Sequence, residues 1–425
     1  MRVVLSAACL AMASAHPVLA QDSATAEVAP FDAAAAWAEF EELLRTRYAY
    51  VERDDIDVEA QLVRSREVAS KAKSDAEFRR IIHQTALTFI DPHLIVGPFL
   101  PDDYAIIMTA ADLDARFDGE RLIVADVRAR SPAFEAGIRT GDELLAVDGE
   151  APSVAARLPF GRVLPEPTAA QLDYGATLAV NGKRGFARML TVQGADGSVR
   201  EVELVSTSDY VRSLRDRAPL TSRRIGAGGK VGVIRINNSL GNNDTITAFD
   251  AAMEELAGVE AMVLDLRDTP SGGNTEVGRS IIGHFTPELR PYQVHTIPAL
   301  ERAFTVPRRF VEYVYPRAPQ FTGPVYVLHG RWTGSMGEGI VIGMDAATQA
   351  VTIGSNMGDL LGGLWNWTLE ESEGRVDLGG EALFHVDGTP REDYVADIPL
   401  TSADTDAAGD DPALAKVLEL IEDQN

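Results

Sequence analysis

Val325-Tyr326-Val327-Leu328-His329-Gly330-Arg331-Trp332-Thr333-Gly334-Ser335-Met336-Gly337-Glu338-Gly339-Ile340-Val341-Ile342-Gly343 reads as a strand, a tight turn and the start of a helix. The apolar run Val325–Leu328 has β-type composition. His329 to Gly334 turn the chain and deliver Ser335. Met336 to Ile342 begin a helix. A serine between a buried strand and a helix N-terminus suits a nucleophile, because the free N–H groups and positive end of the helix face any developing oxyanion. Gly334 and Gly337 permit close backbone approach. The N–H of Met336 is the first candidate donor for an oxyanion hole.

Upstream, Val231–Ile236 reads as a strand, Asn242–Leu256 as a helix, and Val259–Leu266 as a nearly continuous apolar strand of the buried kind. The loop Asp268-Thr269-Pro270-Ser271-Gly272-Gly273 follows, and Thr275–Phe285 fits another helix. Strand and helix alternate, which predicts a central sheet flanked by helices over 225–421. The paired glycines offer a second oxyanion donor, Gly272 first and Gly273 next. Thr286–Gln320 holds six prolines and several aromatics and reads as irregular packing across the domain or as a lid or substrate wall. Downstream, Val351–Ile353 and Trp365–Leu369 are strand-like, Glu381–Phe384 and Tyr394–Leu400 read as edge strands, and Pro412–Ile421 as a closing helix. Ser206–Gly229 is polar and glycine-rich and reads as a linker.

Toward the N-terminus, Trp37, Phe40, Leu43, Leu44 and Tyr48 recur at helical spacing, followed by helical patterns from Val58 and from Asp75, the latter capped by Ser74. These predict a helical unit over 24–98. It ends at Asp91-Pro92-His93, where the proline fixes the backbone. Between the helical unit and the core, Leu122–Val127 reads as a strand. Ser131-Pro132-Ala133 with Ala136-Gly137 reads as a turn and short helix, and Gly141-Asp142-Glu143-Leu144-Leu145-Ala146-Val147-Asp148-Gly149 as a further strand between turns. This segment, 105–205, resembles a PDZ domain. That resemblance implies either capture of an extended peptide at a sheet edge or a scaffolding role. Phe117-Asp118-Gly119 is the nearest candidate for its carboxylate loop.

Residues 1–20 fit an export signal: Arg2, a small apolar run Val3–Ala15, and Val18-Leu19-Ala20 before Gln21. The run is short for a membrane span. Cys9 is the only cysteine among 425 residues, so cleavage after Ala20 would leave none and would exclude disulfides, thiol catalysis and cysteine-ligated metal. The expected location is periplasmic or extracellular, with no transmembrane segment in the mature chain. A formal charge of -25 disfavours nucleic acid and anionic membranes as partners. No metal or cofactor motif is present, and none is expected.

An alcohol nucleophile needs a base. Lys416 is the only lysine after Ser335, and it lies in the closing helix. The histidines that remain after cleavage are His83, His93, His284, His295, His329 and His385, and spacing alone does not choose among them. The chain is similar to the S41 family of serine peptidases, on three elements. Thr333-Gly334-Ser335-Met336-Gly337-Glu338 matches the family's T-x-S-x-(A/G)-E nucleophile motif. Asp265-Leu266-Arg267-Asp268-Thr269-Pro270-Ser271-Gly272-Gly273 matches its oxyanion loop, and Asp91-Pro92-His93 its D-x-H element. The resemblance implies an α/β multidomain protein with a helical N-terminal unit, a PDZ-like unit and an S41-type catalytic core. It implies Ser335 as nucleophile, His93 as base, and Gly272 and Met336 as N–H donors. The segment Gly354–Gly362 lacks the lysine that one branch uses as base, which points to the Ser-His branch. That branch places a serine before the histidine, where Pro92 stands here, and a late glutamate, for which Glu392 is the match. Asp91 is a second carboxylate placed to orient His93, and Glu338 reads as a loop anchor. The expected activity is hydrolysis of extended peptides or unfolded proteins. Two other readings are a peptide-binding or scaffold protein with an inactive site, and an esterase using Asp359 and His385.

Overall fold

A computed structural model describes residues 30–104, 111–270 and 272–423. The expected export signal with Cys9, and Ser271 of the glycine loop, lie outside the described residues.

The first unit holds α1 (Ala33–Arg47), α2 (Val58–Ala69), α3 (Asp75–Leu87) and the short β1 (Ile95–Gly97). Each helix starts on a side-chain cap: Asp32, Asp57 and Ser74 accept backbone N–H groups of their first turns. Trp37, Phe40, Leu44, Phe78 and Ile82 form one buried face, which continues into Val376 and Leu378 from far along the chain. That continuity ties the helical unit to the core and places the chain after α3 against the site.

The middle unit contains β2 (Leu113–Asp118), β3 (Arg121–Val127), α4 (Pro132–Glu135), β4 (Glu143–Val147), α5 (Pro152–Ala155), α6 (Ala169–Asn181), β5 (Arg188–Gln193) and β6 (Val199–Leu204), followed by α7 (Thr207–Ser213). Its sheet runs β2-β3-β4-β5-β6 and is antiparallel throughout. Phe117-Asp118-Gly119 runs from a strand into a hairpin turn. Phe117 and Asp118 belong to β2, and Gly119, at φ 63°, makes the β2–β3 hairpin turn.

The core has β7 (Leu220–Ile225), β8 (Val231–Ile236), α8 (Asp244–Glu255), β9 (Ala261–Asp265), α9 (Thr275–Ile282), β10 (Arg290–Thr296), α10 (Pro298–Phe304) and β11 (Arg309–Val314). It continues with β12 (Val325–His329), α11 (Met336–Ala347), β13 (Val351–Gly354), β14 (Gly363–Thr368), β15 (Arg375–Phe384), β16 (Ile398–Pro399) and α12 (Pro412–Asp423). One sheet runs β16-β13-β12-β9-β8-β7, parallel except for β7. A second, antiparallel sheet runs β1-β15-β10-β11, with β14 also on β15. Apolar side chains of α8, α9 and α11 pack with β8, β9 and β12 into the largest buried cluster.

Three expectations are corrected. The linker reading of Ser206–Gly229 hid α7 and β7, so the core sheet starts at Leu220; β7 is an edge strand with alternating exposure, and only half of its residues carry a burial signal. The proline-rich wall is a regular hairpin, β10 and β11 with α10 between them. Pro291 sits beside a register shift and Pro298 in the first turn of α10, two positions where proline removes no needed N–H. Finally, Glu381–Phe384 is not an edge strand but the end of β15, which pairs with β1, β14 and β10.

Candidate active site

Two loops at the carboxyl ends of neighbouring parallel strands are joined into one surface. β9 and β12 pair with Leu328 opposite Asp265. Beyond them, Thr269 N–H donates to Trp332 O at 3.1 Å and Gly334 N–H donates to Thr269 O at 3.0 Å. The Thr333 hydroxyl donates to Leu266 O and accepts the Gly330 N–H, both at 3.0 Å. Backbone bonds therefore fix the turn before Ser335 against the glycine loop.

Ser335 stands at φ 55° and ψ -116°, as the cap of α11. Glycine adopts that region freely and other residues adopt it under strain. The turn lifts the serine out of the strand direction, and α11 starts at the next residue. The N–H groups of its first turn have no acceptor within the helix.

The glycine loop lies on that first turn. A Cβ built on Gly273 would stand 2.1 Å from Met336 Cβ, and one on Gly337 would stand 2.4 Å from Thr269 Oγ1. Both glycines are required by contact, and Gly272 also by its φ of 71°. Gly273→Ala must push the loop off α11. Its expected effect is a fall in kcat of about 10²–10³-fold, the usual cost of one oxyanion donor. Steady-state kinetics on a peptide ester would show it, with KM nearly unchanged.

His93 is buried, with its backbone N–H donating to Asp91 Oδ1 at 2.8 Å and Nδ1 lying 3.2 Å from Leu361 O. A carbonyl oxygen only accepts, so Nδ1 carries the proton and Nε2 is left as the basic nitrogen. Burial pushes the imidazole down to about 4, and the charge of Arg391 pushes the same way, against the Leu361 and Gly362 carbonyls. The ring is neutral at pH 7, the state that accepts a proton. Asp91 is pushed up to about 6 by burial, despite bonds from His93 N–H, from Tyr48 OH at 2.9 Å and from Leu361 N–H at 3.2 Å. Asp91 Oδ1 thus accepts the backbone N–H groups of both His93 and Leu361 and joins the two segments.

Arg391 links that segment to the serine. Its guanidinium, buried, donates to Ser335 O at 3.3 Å, to Gly362 O at 3.3 Å and to Leu360 O. It also stands 3.4 Å from Glu338 Oε2. Glu338 accepts Ser335 N–H at 2.6 Å and Leu360 N–H at 3.4 Å. Burial pushes its carboxyl up to about 8, Arg391 opposing and Asp359 adding to the rise. Ser335 and His93 are thus both tied to residues 360–362. The anchor reading of Glu338 matches these bonds. The sequence reading gave Arg391 no role, Tyr48 only a place in a helical stripe, and residues 360–362 only membership of a segment that lacks a lysine. Arg391 adjoins Glu392, but nothing local distinguishes a buried arginine from a surface one.

Glu392 lies within electrostatic reach of Tyr50, and burial raises its carboxyl. Glu392 Oε2 and Tyr50 OH are both buried and without a hydrogen-bond partner among the described residues. The hydrogen bonds of His93 do not include Glu392. The esterase pair is not assembled. Asp359 bonds Arg331 at 2.8 Å, whereas His385 lies 3.3 Å from Asp345 and 2.9 Å from Asp387. Among the described residues no cluster of three metal-ligating side chains occurs, and no helix is long and apolar enough to cross a membrane.

With this geometry in place, the comparisons identify the core. Residues 230–389 match the model described as Peptidase family S41. The chain has an S41-family peptidase fold. The matched segment contains Ser335, Met336 and Gly272, while His93 and Glu392 lie outside it. The carboxy-terminal processing protease CtpB of Bacillus subtilis (strain 168) is 28% identical over 181 residues, 41% of this chain and 32% of that protein. The match thus spans about a third of that protein's length. Among solved structures, mature CPAF aligns with TM-score 0.58 and 16% identity over 92% of this chain and 95% of its own. The photosystem II D1 C-terminal processing protease aligns with TM-score 0.54 and 18% identity over 91% and 97%. A peptidase-like structure from Parabacteroides merdae ATCC 43184 gives TM-score 0.56 and 14% identity over 92% and 96%. These likenesses of fold cover the helical and middle units as well as the core.

Proposed function

We propose that the protein is an exported serine peptidase that hydrolyses extended peptides or unfolded proteins through an acyl-enzyme at Ser335. The observation that carries this reading is the turn itself. A strained serine heads a buried helix, a glycine loop lies on its first turn, and a neutral histidine is tied to the same 360–362 segment. In the first step His93 Nε2 takes the Ser335 Oγ proton as Oγ bonds the scissile carbonyl carbon. The N–H groups of Gly272 and Met336 hold the oxyanion. Collapse breaks the C–N bond, and the amine leaves with the proton from His93. Water, deprotonated by His93, then releases the acid and restores Ser335. Glu392 is assigned to the imidazolium formed during the reaction, acting through water because it makes no direct bond to His93. The middle unit is proposed to be PDZ-like.

A serine-directed fluorophosphonate tests the reading by intact mass. One adduct is expected on the protein and none on Ser335→Ala or His93→Ala. An adduct that survives Ser335→Ala would overturn it. The pH dependence adds a second check. An imidazole held down near 4 loses its base function only as pH falls through about 4. Labelling is therefore expected to hold between pH 5 and 8, where an ordinary histidine of pKa about 6.5 would lose most of its rate. Asp91, raised to about 6, titrates in this window, so a limb near 6.5 that persists in Asp91→Asn would mean that His93 is not the base.

A further inference from the structure

β2 ends its sheet, and a free edge strand is a template for adding another extended chain. The outward N–H groups of Leu113, Ala115 and Phe117 and the carbonyls of Leu113 and Ala115 are already occupied. Phe117 N–H donates to Asp173 Oδ1 at 2.8 Å. Ala115 N–H donates to Thr177 Oγ1 at 3.2 Å, and that hydroxyl lies 3.1 Å from Ala115 O. Leu113 N–H and Asp112 N–H reach Asn181 Oδ1 at 3.4 and 2.9 Å, and Asn181 Nδ2 donates to Leu113 O at 2.8 Å. Asp173, Thr177 and Asn181 recur every fourth residue of α6, a rise of about 6 Å per step. Phe117, Ala115 and Leu113 recur every second residue of β2, about 6.6 Å per step. The two repeats match, so one row of helix side chains serves one strand edge.

The same unit grips both loops of the candidate site. Arg128, at the end of β3 and fully buried, donates from Nε to Asp268 Oδ1 at 3.1 Å, and its Nη2 pairs with the same carboxylate. Asp268 opens the glycine loop. From β2, Asp114 accepts the Thr177 hydroxyl at 3.0 Å and stands 3.6 Å from Arg331, in the turn before Ser335. Arg331 in turn holds Met357 O at 2.7 Å and Asp359 at 2.8 Å.

The geometry points to a middle unit that is a closed brace: α6 takes the place of an added peptide on β2, and Arg128 is a positioning residue that sets the oxyanion loop through Asp268. The kinetic part of this inference rests on the proposed peptidase reading. The sealed edge and the loop contact do not.

The test is amide hydrogen exchange on the full-length protein, with and without excess unstructured peptide, beside kinetics of Arg128→Met and Arg128→Lys. Exchange over 113–117 is expected to be slow in the free protein and unchanged by peptide, and to quicken in Thr177→Val. Arg128→Met is expected to speed exchange over 268–273 by about tenfold. It should also lower kcat by about 10²-fold with KM within about twofold, as a misplaced donor does, and Arg128→Lys should recover part of the rate. Fast exchange over 113–117 that peptide slows would overturn the sealed edge. Unchanged exchange over 268–273 in Arg128→Met would overturn the brace. If the wild-type protein shows the expected exchange pattern yet takes no fluorophosphonate, the brace is supported and the peptidase reading fails.

Discussion

Ser335→Gly is expected to give a protein without peptidase activity that is more stable than Ser335→Ala. Both variants lose Oγ, and with it the acyl-enzyme route. The fall in kcat should be on the order of 10⁴–10⁶, leaving what the oxyanion hole and substrate binding achieve alone. The two variants differ by one Cβ at φ 55° and ψ -116°. Holding a side chain there costs about 1–3 kcal/mol, and glycine removes that cost. Glycine also adds freedom to the unfolded chain, which costs about 0.4–1 kcal/mol. The difference favours glycine by about 1 kcal/mol. Paired urea unfolding of the two variants, followed by tryptophan fluorescence, reads it without any substrate. Trp332 is buried within that turn, three residues before Ser335, and reports on it. An alanine variant as stable as the glycine variant would show that the turn carries no strain. The serine would then be an ordinary helix cap.

The strand-turn-helix around Ser335 was legible because its elements differ sharply. β12 is buried along its whole length, and Gly334, Gly337, Gly339 and Gly343 after it are demanded by contacts under 3 Å. Short, strongly patterned features of this kind survive in a single sequence. The helical stripes and the turns of the middle unit were legible for the same reason. β7 was not, since an edge strand shows water one face and its Arg223-Arg224 read as linker. The β10–β11 hairpin was hidden by prolines that sit where the ladder does not need their N–H groups. Pairing across long separations was the larger loss. Asp91 meets Leu361, 270 positions away, and Arg128 meets Asp268, 140 positions away. No local pattern records such meetings. The sequence placed Asp91 beside His93 and offered it as an orienting carboxylate, but gave no sign that one oxygen would accept the backbone N–H groups of both His93 and Leu361.

Arg391→Met is expected to cost the protein both activity and stability, with activity falling further than stability alone explains. The guanidinium serves three carbonyl oxygens, of Ser335, Leu360 and Gly362, and stands beside Glu338. Methionine fills similar volume and donates nothing. Buried acceptors left without partners cost about 1–3 kcal/mol each when water cannot reach them. Partial relaxation brings the expected loss to about 3–5 kcal/mol, the range found when one partner of a buried charged network is removed. Glu338 sharpens the prediction. Its carboxyl already sits at about 8 with Arg391 beside it, above its unfolded value of 4.5. A carboxyl raised in this way contributes stability that is fully present below the unfolded value and lost as pH rises toward the folded one. Removing the cation raises the folded value again; below about pH 7 both folded proteins keep this carboxyl protonated, so the Arg391→Met deficit should be flat there and should widen only as pH rises through about 8, where the wild-type carboxyl ionises and the variant's does not. Activity follows a different route. Without the guanidinium, residues 360–362 lose their tie to Ser335, while Leu361 still holds His93. The base and the nucleophile can then drift apart by an ångström with the fold intact, which costs about 10²-fold in kcat. Urea unfolding at several pH values and fluorophosphonate labelling under fully folded conditions separate the two effects. Arg391→Lys keeps the charge but cannot reach three carbonyls at once. It should restore the pH profile of stability more fully than the labelling rate. Equal recovery of both by lysine would mean that Arg391 acts as a charge alone. The link between the two halves of the site would then have to lie in Glu338 and Asp91.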